Sequence, residues 1–227
     1  MIRHALIYAA GRGERMRPLS DATPKPLLRV GGKALIEWHL DALATAGVRE
    51  VVINTSHLAD QFPAALGDGE RWNLHIAWSY EGPEPLDTGG GMLRARPLLG
   101  SEPFIAVNGD IWTDFDFSTL PPAPIGVAHL VLVDNPPHHS AGDFDLRDGR
   151  VLDSDAARLT FAGIGVYRAE LLAKARPGRF SIVPVLRAAM REGTVGGEHF
   201  TGRWSDVGTP QRLADVENTI AHDRSTR

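Results

Sequence analysis

Arg12, Arg15, Arg17 and Lys25 crowd around two glycines in the string Gly11-Arg12-Gly13-Glu14-Arg15-Met16-Arg17-Pro18-Leu19, which runs on to Thr23-Pro24-Lys25-Pro26-Leu27. Cations at this density beside bare backbone suit a phosphorylated partner. The apolar run from Ala5 to Ala10 reads as a strand, and a strand that opens into a glycine-broken loop leaves convergent, unpaired N–H groups for anion oxygens. Gly11 and Gly13 carry no side chains that would hold a phosphate away, and the nearby cations add full charges. Pro24 and Pro26 stiffen the chain on both sides of Lys25, so a flexible amine is carried on a constrained backbone. The string is not a P-loop, which needs Gly, four residues and Gly-Lys-Ser/Thr. Nor is it a dinucleotide fingerprint, which needs a small residue where Met16 stands. A tight turn with its arginines in water remains the plain alternative for Gly-x-Gly alone.

Acids that complement such a loop come later in the chain. Asn108-Gly109-Asp110 follows the short apolar strand Phe104 to Val107, and a carboxylate at a strand's carboxyl end is where a metal–phosphate site recruits one. By itself, Asn-Gly-Asp is also an ordinary turn, and Asp114 and Asp116 just beyond it read as solvated loop acids. Asp206 lies in Gly202-Arg203-Trp204-Ser205-Asp206-Val207-Gly208-Thr209-Pro210, ahead of a helix that Thr209 can cap. Gly89-Gly90-Gly91 implies either a close approach to bare backbone or a hinge before a helix over Met92 to Leu99. His138 and His139, in a Pro-Pro-His-His loop with Asp143 nearby, are too few for a zinc site and are expected to be solvated.

Taken as a whole, Ala9 to Leu19 with Pro24-Lys25-Pro26-Leu27 closely resembles the signature of the sugar-1-phosphate nucleotidyltransferases. The resemblance implies a Rossmann-like three-layer α/β/α fold with a mixed, mostly parallel central sheet. It implies that Ala10, Gly11, Gly13, Glu14, Arg15, Lys25, Gly89, Gly90 and Asn108 bind the nucleotide, with the nucleobase packed on the glycine turn. It implies a catalytic set of Arg15, Lys25, Asp110 and Asp206. Trp204-x-Asp206-x-Gly208-Thr209 matches the family's second metal-binding segment, so Asp110 and Asp206 together would hold Mg²⁺. Asp143 and Gly163 fall on the sugar side.

Later stretches, including Val107 to Asp114, His129 to Pro136 and Gly142-Asp143-Phe144, narrow the resemblance. They point to the branch that transfers UMP from UTP to N-acetylmuramic acid 1-phosphate in peptidoglycan recycling. Glucose-accepting relatives place a glutamate before the late helix, where this chain has Phe180-Ser181. Mannose or glucose 1-phosphate with GTP, UTP or dTTP is the competing substrate pair. A non-catalytic nucleotide-sugar sensor is the reading from another class, and retention of all four catalytic residues argues against it. A phosphate monoester has its second pKa at about 6, so a sugar phosphate is already a nucleophile at neutral pH. The lack of a Ser-His-Asp set therefore does not count against an enzyme.

These residues need strands to carry them. Ala34 to Ala46 has helical spacing and ends at Gly47, Val51 to Asn54 reads as a buried strand, Leu58 to Leu66 as a short helix broken near Pro63, and Leu74 to Trp78 as a strand. This β-α-β-α-β order predicts a parallel sheet with sites at strand carboxyl ends. Val127 to Val133 and Thr160 to Tyr167 read as further strands, Asp148-Gly149 as a hairpin turn, and Ile182 to Met190 and Gln211 to Ala221 as helices. Here the sheet turns partly antiparallel. The 227 residues, 43% hydrophobic and 23% charged, suit a single domain, nucleotide-binding in its N-terminal half and sugar-binding in its C-terminal half. A net charge of −4 with basic residues confined to the loop region argues against a nucleic-acid partner, and no apolar run approaches a bilayer span. Without cysteines, a signal-peptide pattern or a hexapeptide-repeat extension, the expectation is a cytoplasmic monomer.

Overall fold

The strand–helix alternation expected of the first half is what the chain builds. The computed structural model describes residues 1–225. The first half runs β1 (His4–Tyr8), α1 (Leu19–Ala22), β2 (Arg29–Val30), β3 (Lys33–Ala34), α2 (Leu35–Thr45), β4 (Glu50–Thr55), α3 (Gln61–Leu66), β5 (His75–Tyr80), α4 (Asp87–Leu99), β6 (Phe104–Asn108) and β7 (Ile111–Thr113). The second runs β8 (Ala128–Val133), β9 (Phe144–Arg147), β10 (Arg150–Leu152), β11 (Arg158–Tyr167), α5 (Val183–Arg191), β12 (Val195–His199), β13 (Trp204–Asp206) and α6 (Pro210–Ser225).

Strands from both halves join one nine-stranded sheet in the order β5-β4-β1-β6-β11-β8-β12-β10-β9. The expected parallel block is present: β5, β4, β1 and β6 are all parallel neighbours. The sheet is not mostly parallel, however. Beyond β6, only β8 and β12 pair in parallel, while β6–β11, β11–β8, β12–β10 and β10–β9 are antiparallel. The reversal follows from the β9–β10 hairpin, whose turn residues Asp148 and Gly149 both have positive φ (49° and 73°), the geometry that matches the right-handed twist of paired strands. That hairpin sends β11 back between β6 and β8. The sequence gives no clear strand signal for β12, Val-Gly-Gly-Glu-His, because glycine has low strand propensity. Gly197 is needed there, since a side-chain carbon on it would lie 2.4 Å from Val151 Cγ2.

Alternation along the parallel strands divides the core into two layers. Ala5, Ile7, Val51, Ile53, Ile105 and Val107 share a buried cluster with Ile36, Leu40 and Leu43 of α2. Leu6, Val52, Phe104 and Ala106 share another with Met92, Ala95 and Leu99 of α4 and with Leu186 and Met190 of α5. The sheet therefore lies between helices on its two faces. A smaller cluster fastens α6 through Val216 and Ile220 to Val30, Leu35, Trp112 and Val207. Among the described residues no helix is long and apolar enough to cross a membrane.

Candidate active site

The register of the parallel strands sets the site. Tyr8 at the end of β1 pairs with Asn54 of β4 on one side and Asn108 of β6 on the other. Three strand ends thus release their loops at one level, the arrangement that favours ligand sites in open α/β sheets. They open into a cavity of about 720 Å³ lined by Ala9 to Arg15, Lys25, Asn54, Glu81, Asp87, Thr88, Asn108, Asp110, Arg179 and Gly208, among others. The predicted Ala10, Gly11, Gly13, Glu14, Arg15, Lys25, Asn108 and Asp110 are all in this wall. A side-chain carbon on Gly11 would meet nothing within 4 Å, whereas Gly13 has φ +63° and packs against Lys25 Cβ and Ser20 Cβ. Gly11 therefore leaves room for a ligand, while Gly13 makes the turn that seats Lys25.

Lys25 is only 6% exposed. Its Nζ sits 2.7 Å from Asp110 Oδ2, which offsets the cost of burying an ammonium. Gly109 N donates to the Tyr8 carbonyl at 2.9 Å, pinning the Asn-Gly-Asp turn to the end of β1. Gly163 has φ +75° and sits at a register shift in β11. A side-chain carbon there would lie 2.5 Å from Asn108 Nδ2, so this glycine lets Asn108 stand against the second half of the sheet.

Asp206 is not among the residues that line the cavity, where Gly208 stands for its segment, but its backbone comes beside that of Asp110. β13 pairs with β7 so that Asp206 faces Ile111, and Val207 N donates to the Asp110 carbonyl at 2.9 Å. The two acids are thus on neighbouring backbones despite their separation in sequence. Arg212 Nη1 bonds Asp206 Oδ2. Oδ1 is buried with no hydrogen bond. His138 Nε2 is 2.9 Å from that oxygen, but it also lies 2.6 Å from Arg212 Nη1; a ring nitrogen accepting from the guanidinium has no proton left to give. A buried carboxylate oxygen left without a donor, on a backbone segment hydrogen-bonded to Asp110, is chemistry that suits a hard divalent cation. Among the described residues no group of three or more His, Cys, Asp and Glu side chains is placed to hold a metal, so such an ion would complete its shell from water and substrate.

Several predicted residues have different surroundings from those expected. Gly89 and Gly90 are buried inside α4, which begins at Asp87, before the expected start at Met92. Both amides donate to the Phe180 carbonyl at 3.0 Å, and a side-chain carbon on Gly89 would lie 2.3 Å from the Phe180 ring. The close approach that the glycines permit is made by the chain itself, and Asp87 and Thr88 of that turn face the cavity. Asp143 is occupied as well: it pairs with His139 Nε2 at 3.0 Å and accepts from Phe161 N at 2.9 Å. His138 and His139 are therefore not simply solvated, since one meets Asp206 and the other Asp143.

An internal network of three hydrogen bonds, for which the sequence carries no local signal, lies behind the loop. Ala9 N donates to Asn54 Oδ1, Asn54 Nδ2 to Glu81 Oε1, and Leu86 N to Glu81 Oε2, each at 2.6 Å. Burial pushes the Glu81 carboxyl above its ordinary pKa, while the bonds from Leu86 and Asn54 oppose that rise. The network ties the glycine loop to the segment leading into α4. Gly91 makes room for it, as a side-chain carbon there would lie 2.4 Å from Glu81 Oε1.

A family model for nucleotidyl transferases matches residues 4–125, the segment that carries the loop, Lys25 and Asp110. The chain belongs to the nucleotidyl transferase family. It is 48% identical over 222 residues to an N-acetylmuramate alpha-1-phosphate uridylyltransferase of Neisseria meningitidis serogroup B, covering 94% of this chain and 96% of the relative. A Caulobacter vibrioides protein of the same name is 35% identical, with 96% of each chain covered. A mannose-1-phosphate guanylyltransferase catalytic subunit beta of Drosophila pseudoobscura pseudoobscura is 30% identical over 91% of this chain but only 59% of its own length. In fold, the chain superimposes with a TM-score of 0.82 on a Bacillus anthracis crystal structure described as a glucose-1-phosphate thymidylyltransferase, at 17% identity and 97% and 95% coverage.

Proposed function

We propose that this nucleotidyl transferase, acting as a single unit in the cytoplasm, transfers UMP from UTP to N-acetylmuramic acid 1-phosphate, releasing pyrophosphate and giving UDP-N-acetylmuramic acid. The observation that carries the choice of substrates is the 48% identity, nearly end to end, with the uridylyltransferase of that specificity. The cavity supplies the chemistry. Its difficulty is electrostatic, because two polyanions must meet and charge must gather on the leaving pyrophosphate.

In this reading the loop from Ala10 to Arg15 holds the triphosphate, with Gly11 giving close backbone approach and Arg15 its charge. Lys25, aimed by the Gly13 contact and the prolines around it, neutralises charge between the sugar phosphate and the α-phosphate. Asn108, braced by Gly163, orients the nucleotide. Asp110 and Asp206 would hold Mg²⁺, which supplies charge neutralisation of the phosphate oxygens when bound. The acceptor needs no general base, being largely dianionic at neutral pH. The ends of β8 and β11, with Arg179, would form the acceptor side.

The test is pyrophosphate release measured for a grid of five nucleoside triphosphates against several sugar 1-phosphates, with Mg²⁺ and with chelator. UTP with N-acetylmuramic acid 1-phosphate should give the highest kcat/KM, and chelator should abolish turnover. A different winning pair would refute the substrate assignment, and full activity in chelator would refute the metal.

A further inference from the structure

Arg212 has no place in the scheme so far. It extends from the first turn of α6, where its backbone N donates to Thr209 Oγ1 at 3.3 Å, and its side chain is 17% exposed. One end of its guanidinium bonds Asp206 and touches His138. The other end reaches the cavity wall. A side-chain carbon on Gly208 would lie 2.4 Å from Arg212 Nη2 and 3.4 Å from Arg15 Nη2. Two guanidinium groups therefore converge on one glycine that lines the cavity.

The charges at this corner do not balance. Arg12 is paired with Glu84 and Lys25 with Asp110, while among the described residues Arg15 makes no ion pair. Arg212 has Asp206, but Asp206 is also the carboxylate whose free oxygen suits a divalent ion. A cation arriving on Asp206 would weaken its hold on Arg212 by like-charge repulsion. The released guanidinium would then stand beside Arg15 with no counter-charge, and two planar forks so placed match the oxygens of a phosphate.

We propose that Arg212 is a phosphate ligand held in reserve: it neutralises Asp206 while the metal site is empty and turns to the triphosphate beside Arg15 once a divalent cation takes Asp206. The proposal rests on reading Asp206 as a metal ligand. It makes metal and nucleotide binding mutually favourable, because Arg212 competes with the metal for Asp206 alone but joins it in holding the nucleotide.

The experiment measures Mn²⁺ binding by electron paramagnetic resonance for the wild-type chain, Arg212→Gln, Arg212→Lys and Asp206→Asn, without and with UTP, together with UTP affinity by calorimetry. Without nucleotide, Arg212→Gln should bind Mn²⁺ about three- to tenfold more tightly, since its competitor for Asp206 is gone. With Mn²⁺ present, its UTP affinity should fall by about tenfold or more, the usual loss for a charge-assisted hydrogen bond. Arg212→Lys should fall between. Unchanged Mn²⁺ and UTP binding in Arg212→Gln would overturn the proposal, as would unchanged UTP binding with a raised KM for the sugar phosphate alone, which would assign the guanidinium to the acceptor. A loss of thermal stability equal with and without Mn²⁺, and no change in UTP affinity, would make Arg212 structural only and also overturn it. If Asp206→Asn binds Mn²⁺ as well as the wild type, the reading of Asp206 as a metal ligand fails and the proposal fails with it, an outcome distinct from a failure of Arg212 alone.

Discussion

Replacing Lys25 with Met keeps most of the side chain's volume against Gly13 and removes only its charge, so it separates catalysis from folding. The ammonium is 2.7 Å from a carboxylate oxygen and 6% exposed. At an effective dielectric constant of about 20, a unit charge pair at that distance is worth about 6 kcal/mol before desolvation. Much of that is offset by the cost of burying the ammonium, so the variant should lose no more than about 2 kcal/mol of stability. Catalysis is affected differently, because the burial cost is met on folding. If about half a unit of additional negative charge develops within the same reach during phosphoryl transfer, Lys25 contributes about 3 kcal/mol to the transition state alone, or roughly a hundredfold to a thousandfold in rate. Lys25→Met should therefore lower kcat by that factor with a modest change in the KM for UTP and a urea midpoint lowered by no more than about 1 M. The assay is pyrophosphate release at saturating UTP and N-acetylmuramic acid 1-phosphate, alongside urea denaturation of the same preparations. A kcat within threefold of wild type would remove Lys25 from the mechanism, and a rate loss that tracks unfolding would reduce it to a structural residue.

His39 is fully buried and its Nε2 lies 2.9 Å from the Ile111 carbonyl, so it donates as a neutral ring and braces β7 next to Asp110. Burial lowers its pKa from 6.5 to about 4. The unfolded chain takes up this proton as pH falls through about 6.5, while the folded chain refuses it until about 4, so stability is lost across that window and levels off below it, by up to about 3 kcal/mol. His39→Gln should flatten the urea midpoint between pH 6.5 and 4 relative to wild type, and parallel curves for the two proteins would contradict the assignment. Gly163→Ala places a side chain at φ +75° and 2.5 Å from Asn108 Nδ2. It should cost about 1–3 kcal/mol in urea denaturation and raise the KM for UTP by displacing Asn108; a stable variant with unaltered KM would show that the contact does not matter.

Much of the site was legible in the chain because its signals are local. Whether a strand ends in a glycine loop, whether a lysine is flanked by prolines, and where hydrophobic residues recur are decided within a few residues, and β1, α2, β4, β5, β6, the β9–β10 turn and α5 all lie near their expected positions. The short interior elements were not legible: Gly89 to Gly91 read as a loop because glycine weakens a helix, yet they lie in the first turns of α4, where Gly89 is pressed by Phe180, Gly90 by the Gly178 carbonyl and Gly91 by Glu81. Partnerships between distant residues belong to the tertiary structure. That Lys25 pairs with Asp110, that Asp206 comes beside Asp110 through the β7–β13 pairing, and that His138 meets Asp206 depend on strand order and register. Those are settled by which buried faces pack together across the whole sheet, a long-range condition that spacing along the chain does not carry.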